Sequence, residues 1–289
     1  MWEFLQEVVW HALIHTLEDA LKMLPFLFVA YLLLEYIEHR SATKLERLLS
    51  SNKLGPVGGA LVGCVPQCGF SVAAANLYAG RVIRIGTLVA VFLSTSDEAI
   101  PLMLAHPEAY PTMFLLLGLK VVIAIVAGFA VEGAAKLFLK PEHTSAQASI
   151  HELCDHEHCH CEHGIFRSAL RHTLEVFGFI LVVLFVLTLG VEWVGEDRIA
   201  SLLLNGSVFQ PLIAGLLGFI PNCAGSVLLT ELYLSGSISF GAAVAGLCTS
   251  AGVGIAVLLR VNRNWRQNLF IIVSLYLVGV LSGLIIQLF

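Results

Sequence analysis

Apolar residues run along this chain in long blocks separated by short polar breaks. Eight blocks stand out, at about residues 11–37, 56–79, 86–105, 112–138, 170–194, 209–234, 238–259 and 267–288. A helix needs about 20 apolar residues to cross about 30 Å of hydrocarbon, so the pattern predicts an all-α integral membrane protein with several crossings. One polar interval differs in kind: "KPEHTSAQASIHELCDHEHCHCEHGIFR" is charged and crowded with His and Cys. It divides the chain into a first transmembrane repeat (1–139), a linker (140–167) and a second transmembrane repeat (168–289).

The two halves are related. Without a gap, Gly59–Leu104 aligns with Ala214–Leu259, placing Pro66 on Pro221, Gln67 on Asn222, Cys68 on Cys223, Ser71 on Ser226, Tyr78 on Tyr233, Gly86 on Gly241 and Thr95 on Ser250. Around both prolines the blocks are poor helix material, because Pro lacks a backbone N–H and Gly is entropically costly. Irregular backbone at membrane depth is tolerated only where protein or a wet cavity satisfies it. Blocks two and six are therefore expected to be re-entrant hairpins of broken helix that turn at Pro66 and Pro221.

Charge placement points the same way. If all eight blocks crossed, the basic loops "HRSATKLERLLSSNK" and "GRVIRIG" would face opposite sides, against the cytoplasmic bias of Lys and Arg. With two re-entrant blocks and an external N-terminus, Arg40, Lys44, Arg47, Lys53, Arg81, Arg84, Lys136, Lys140, Arg167, Arg171, Arg260, Arg263 and Arg266 become cytoplasmic, leaving Arg198 outside. Each half then crosses three times, so the second repeat is inverted relative to the first, an arrangement of many secondary transporters. Composition agrees with a bilayer protein: 57% of residues are hydrophobic, 13% are charged and the mean hydropathy is +0.85. The net charge of −5 adds little, since placement outweighs the sum. The first residues lack a basic n-region and a small-residue cleavage site, so no signal peptide is expected.

Chemistry concentrates at the hairpin tips and beside them. Helix N-termini beginning near Cys68 and Cys223 would direct N–H groups inward, while helix C-termini offer carbonyls. Gln67, Asn222, Ser71 and Ser226 add neutral oxygens, although the serines serve helix packing equally well. Cys68 and Cys223 offer thiols suited to soft metals or serve as small apolar residues; Cys64, matched to Phe219, reads as packing. The main departure from symmetry is Asp97-Glu98 in "FLSTSDEAIPLM", which the partner stretch "LCTSAGVGIA" lacks. Carboxylates inside an apolar block mark ion or proton paths. Together with Ser94, Thr95, Thr249 and Ser250 they are the expected cation ligands. Counted from Gly86 along one helix, Asp97 would lie about 16 Å deep. Glu231 is placed near an external loop as a gate or interface residue. In the linker, His151, Cys154, His156, His158, Cys159, His160, Cys161 and His163 form a soft-to-borderline metal chelator without finger spacing, expected to capture or sense metal on the cytoplasmic side.

On "GCVPQCGFS", "STSDEAIPLM", "GFIPNCAGSV" and the His/Cys-rich loop, over essentially its full length, the chain resembles the ten-transmembrane heavy-metal exporters, bacterial permeases described as arsenic or manganese efflux proteins. Counting each hairpin as two short helices turns eight blocks into ten. The resemblance implies a multi-pass protein of the bacterial inner membrane that exports an ion. The chain thus reads as a secondary transporter for a transition-metal or metalloid ion, coupled to H⁺ or Na⁺, with no covalent cofactor. No Walker A sequence is present, so the chain is not expected to hydrolyse ATP. The expected partners are the lipid bilayer and a small inorganic ion, with no nucleic acid and with homo-oligomerisation open. A Na⁺-coupled transporter of an oxyanion such as phosphate or arsenate is the alternative. A membrane metal sensor or enzyme is the alternative of another class, but the repeated core has no nucleophile–base pair and no attached output domain is expected. N- and C-termini are expected outside.

Overall fold

Among the described residues, two successions of five α-helices follow each other in the same order and with the same breaks. The computed structural model describes residues 51, 54–65, 68–96, 99–104, 106–138, 207, 209–220 and 223–288, with isolated helical positions between 10 and 32 and between 170 and 185. Within it lie α1 (Gly55–Gly63), α2 (Cys68–Ala79), α3 (Ile85–Ser94), α4 (Ala99–Leu104), a 3₁₀ turn (Pro107–Ala109) and α5 (Tyr110–Phe138). The second series is α6 (Gln210–Leu217), α7 (Cys223–Leu234), α8 (Phe240–Thr249), α9 (Gly254–Val261) and α10 (Trp265–Gln287). α2 and α7, and α3 and α8, begin and end at the same offset of 155 residues. The internal repeat therefore extends from sequence to structure, and no strand occurs among the described residues.

Close backbone approaches bind each series. α1 packs on α3 and α5, and α6 packs in the same way on α8 and α10. A Cβ on Gly128 would stand 2.8 Å from the Gly86 carbonyl and 2.8 Å from Pro56 Cβ, and one on Gly283 would stand 2.5 Å from the Gly241 carbonyl and 3.2 Å from Pro211 Cβ. Glycine at both places lets three helices meet at their backbones, as small residues do between helices in lipid. Contacts also cross between the series: α2 packs against α9, and α7 against α4.

The surface is apolar where a soluble protein would be wet. Leu269, Val273, Leu277, Leu281 and Ile285 are exposed at four-residue spacing along α10, while Ser71, Thr87, Ser94, Thr95, Thr249 and Lys120 are buried. Pro107–Phe138, Phe240–Val261 and Trp265–Gln287 are helical stretches long and apolar enough to cross a membrane.

In two places the structure departs from the block pattern. Blocks 86–105 and 238–259, expected to be unbroken, are each divided into a ten-residue helix and a shorter one, with breaks after Ser94 and Thr249. A depth for Asp97 counted along one helix from Gly86 therefore does not hold, because that helix stops at Ser94.

Candidate functional site

The two breaks are built from the same parts. Ser94 Oγ donates to the Ala90 carbonyl at 2.9 Å and the Val91 carbonyl at 3.1 Å, and Thr95 Oγ1 donates to the Val91 carbonyl at 2.7 Å. In α8, Thr249 Oγ1 donates to the Gly246 carbonyl at 2.9 Å and across to the Gly215 carbonyl of α6 at 2.8 Å. Hydroxyls bonded back onto the preceding turn compete with helix continuation, and their lone pairs can still accept or ligate. Gly63 and Gly218 make room for these ends, since a Cβ on either would strike Ser94 Oγ or Thr249 Oγ1.

Between the broken ends lies a cation. Lys120 is fully buried on α5, ten residues in from Tyr110. At 1.5 Å per residue that is about 15 Å, half the hydrocarbon thickness. Its ammonium donates to the Thr95 carbonyl, and to the Leu247 carbonyl at 2.7 Å. Thr95 caps α3 in the first series and Leu247 lies in the last turn of α8 in the second. Where a helix stops, its last carbonyls lose their N–H partners; here the Ala251 N–H bonds to the Thr249 carbonyl rather than to Leu247. A helix C-terminus carries about half a negative charge, so one ammonium balances two such ends. Among the described residues, Lys120 is close enough to act electrostatically on two free thiols, half-buried Cys64 and buried Cys248.

A second polar cluster joins the series where α2 meets the α9–α10 turn. Gln267 Oε1 accepts from Tyr78 Oη at 3.2 Å, from Arg81 Nη1 at 3.1 Å and from Asn262 Nδ2 at 3.4 Å. Asn262 Nδ2 also donates to Asn268 Oδ1 at 2.7 Å, and Asn268 Nδ2 to the Asn262 carbonyl at 2.8 Å.

A family described as "Putative, 10TM heavy-metal exporter" matches the chain over residues 9–194 and 171–289. The chain belongs to this exporter family. No curated protein matches it, and no solved structure does.

Of the residues that the sequence assigns to ion binding, the exporter's structure groups Ser94 and Thr95 at one broken end and Thr249 and Ser250 at the other, all buried. Ser71 is buried against α9, where a Cβ on Gly254 would stand 2.7 Å from Ser71 Cβ. Ser226 is buried on α7, and its carbonyl accepts from Thr230 Oγ1 at 2.7 Å. Cys68 and Cys223 open α2 and α7. Glu231 is exposed on α7. Gln67, Asn222, Asp97 and Glu98 lie outside the described residues, as do His151, Cys154, His156, His158, Cys159, His160, Cys161 and His163 of the linker. Among the described residues no group of three or more His, Cys, Asp or Glu could hold a metal ion. Sequence reasoning passed over Lys120. The signal was available: within the 29 residues of α5 it is the one charge in the run "YPTMFLLLGLKVVIAIVAGFAV", and a charge within such a run is a functional candidate by default.

Proposed function

We propose that this exporter moves a transition-metal or metalloid ion out of the cytoplasm by alternating access of two inverted repeats, coupled to H⁺ or Na⁺. The carrying observation is that both repeats break a helix at equivalent positions and that Lys120 ties the two broken ends together. Broken helices near the midplane at a repeat interface are where secondary transporters place their ions.

Inversion and re-entry draw support from which turns touch. α1 begins at the level of Gly86 and Gly128, where α3 also begins, and the last turn of α2 sets Tyr78 beside Gln267. Both ends of the α1–α2 unit thus lie near one face. If all eight apolar blocks crossed, the α2–α3 turn and the α9–α10 turn would face opposite sides, and Arg81 could not reach Gln267. In the second repeat Gln210, at the start of α6, exchanges hydrogen bonds with Ser237 and Ser239 beyond the end of α7. These bonds support the reading in which the α6–α7 unit also returns to its side of origin. In this reading, in the bacterial cytoplasmic membrane, the basic turns and the His/Cys linker face inside and both termini outside, and the linker concentrates metal for the core.

Asp97 and Glu98 correspond to Gly252 and Val253, which occupy the break between α8 and α9. In this reading they bring charge to the broken end whose hydroxyls are Ser94 and Thr95, and they bind the exported ion or its coupling ion. The test is uptake into proteoliposomes with a panel of metals and oxyanions, with and without Na⁺ and pH gradients. Metal flux in the wild type and a loss of at least about tenfold in Asp97→Asn/Glu98→Gln, equivalent to about 1.4 kcal/mol of barrier, is the expected result. Unchanged flux in the double variant at matched protein density removes both acids from the mechanism. One observation favours a second reading: the fixed cation of Lys120, with the N-termini of α2 and α7, suits an oxyanion, and the same panel would then show arsenate or phosphate flux instead of metal flux.

A further inference from the structure

Lys120 stands out against the symmetry around it. Its counterpart in the second repeat is Leu275, also fully buried, so packing at this position does not call for an amine. Two acceptors of the amine are main-chain carbonyls at the helix breaks, one from each repeat. Main-chain carbonyls at unwound helix ends are what secondary transporters use to coordinate Na⁺, and hard cations in general take oxygen ligands. Here the position is taken by a positive charge that belongs to the chain.

We propose that Lys120 is a tethered cation that takes the place of a coupling Na⁺ at the junction of the two repeats, so that this junction does not depend on Na⁺. The ammonium neutralises the two helix ends and, being held on α5, keeps the broken ends of α3 and α8 together without any ion from solution. Removing it leaves a carbonyl-lined position sized for a small monovalent cation: Na⁺, or an alkylammonium that restores the missing group. This inference rests on the transporter reading only where flux is measured; the stability measurement does not require transport.

The test uses the full chain in lipid nanodiscs and proteoliposomes, comparing Na⁺ with N-methylglucamine at equal ionic strength. Of the two couplings left open above, this inference selects H⁺, so in the wild type neither the thermal midpoint nor flux is expected to respond specifically to Na⁺. Lys120→Ala is expected to melt several degrees lower in N-methylglucamine and to regain most of that loss in Na⁺ or n-propylammonium, because a ligand that binds only the folded state raises its stability. Lys120→Arg keeps a permanent cation and its donors and is expected to ignore Na⁺, as the wild type does. A wild-type midpoint that rises specifically with Na⁺ overturns the proposal, as does a folded Lys120→Ala that answers to neither cation. If Lys120→Ala does not fold, Lys120→Gln is put through the same salts with the same two outcomes. A wild type that carries no ion in any condition sinks the exporter reading alone, leaving cation rescue of the variant to decide the role of Lys120.

Discussion

At the scale of single residues, Arg81 and Gly236 occupy the same turn of the two repeats and solve it differently. Both have left-handed backbones, with φ of 63° at Arg81 and 74° at Gly236. Glycine is at ease there, whereas any other L-residue pays about 1–2 kcal/mol. The strain at Arg81 is offset by its side chain, which reaches Gln267 at 3.1 Å and lies 5.9 Å from the centroid of the Tyr78 ring. A hydrogen bond to a charged group contributes about 1.5–3 kcal/mol. Arg81→Gly should accordingly change stability by no more than about 1–2 kcal/mol. Gly236→Arg, with open space around its Cβ but φ still positive, should cost about 1–2 kcal/mol. Thermal midpoints of the two exchanges in one detergent check this: a gain of about 1–2 kcal/mol in Arg81→Gly, the full relief of the strain, would mean that the cross-repeat bond offsets nothing. Sequence alignment paired these two positions, but only the backbone angle and the partner 186 residues away give the pairing its meaning.

At the scale of helices, what was legible depended on which residues interrupt them. Pro66 and Pro221, with their neighbouring glycines, announce the breaks between α1 and α2 and between α6 and α7, because proline and glycine act locally on the backbone. The breaks after Ser94 and Thr249 were not legible: "FLSTSDEAIPLM" and "LCTSAGVGIA" hold no proline before the break. The helix ends there because hydroxyls turn back onto their own carbonyls and Lys120 takes the carbonyls released, a tertiary effect. Close helix packing was likewise hidden among the 25 glycines, of which only some are contact points. Gly128→Ala, whose new Cβ would stand 2.8 Å from the Gly86 carbonyl, should cost about 1–3 kcal/mol by overpacking. Gly118→Ala, on the same helix with nothing within 4 Å, should gain about 0.5–1 kcal/mol of helix propensity. Denaturation of both variants in the same lipid tests the close approach of α3 and α5. A neutral Gly128→Ala would show that the helices can separate without loss.

At the scale of the whole molecule, charge placement and one set of contacts bear on the proposed topology by independent routes. The bias of Lys and Arg toward cytoplasmic loops favours a topology in which the turns holding Arg81 and Arg263 share a side. The structure, which contains no bilayer, brings the α2–α3 turn to the α9–α10 turn through Gln267. The sequence could supply the sidedness but not the contact, because Tyr78 and Gln267 lie in different repeats and are not equivalent positions. Eight crossing blocks would satisfy neither constraint, and this makes the topology open to one decisive labelling experiment. In a cysteine-free background, single cysteines at Glu108 and at Ser235, both exposed, should react with an impermeant thiol reagent added outside intact cells. A cysteine at Arg263, exposed on the α9–α10 turn, should react only after the cells are opened. Labelling of position 263 and position 235 from the same side would place the two ends of the α8–α9 unit together, so that the second repeat would no longer cross there and the inverted arrangement would be lost.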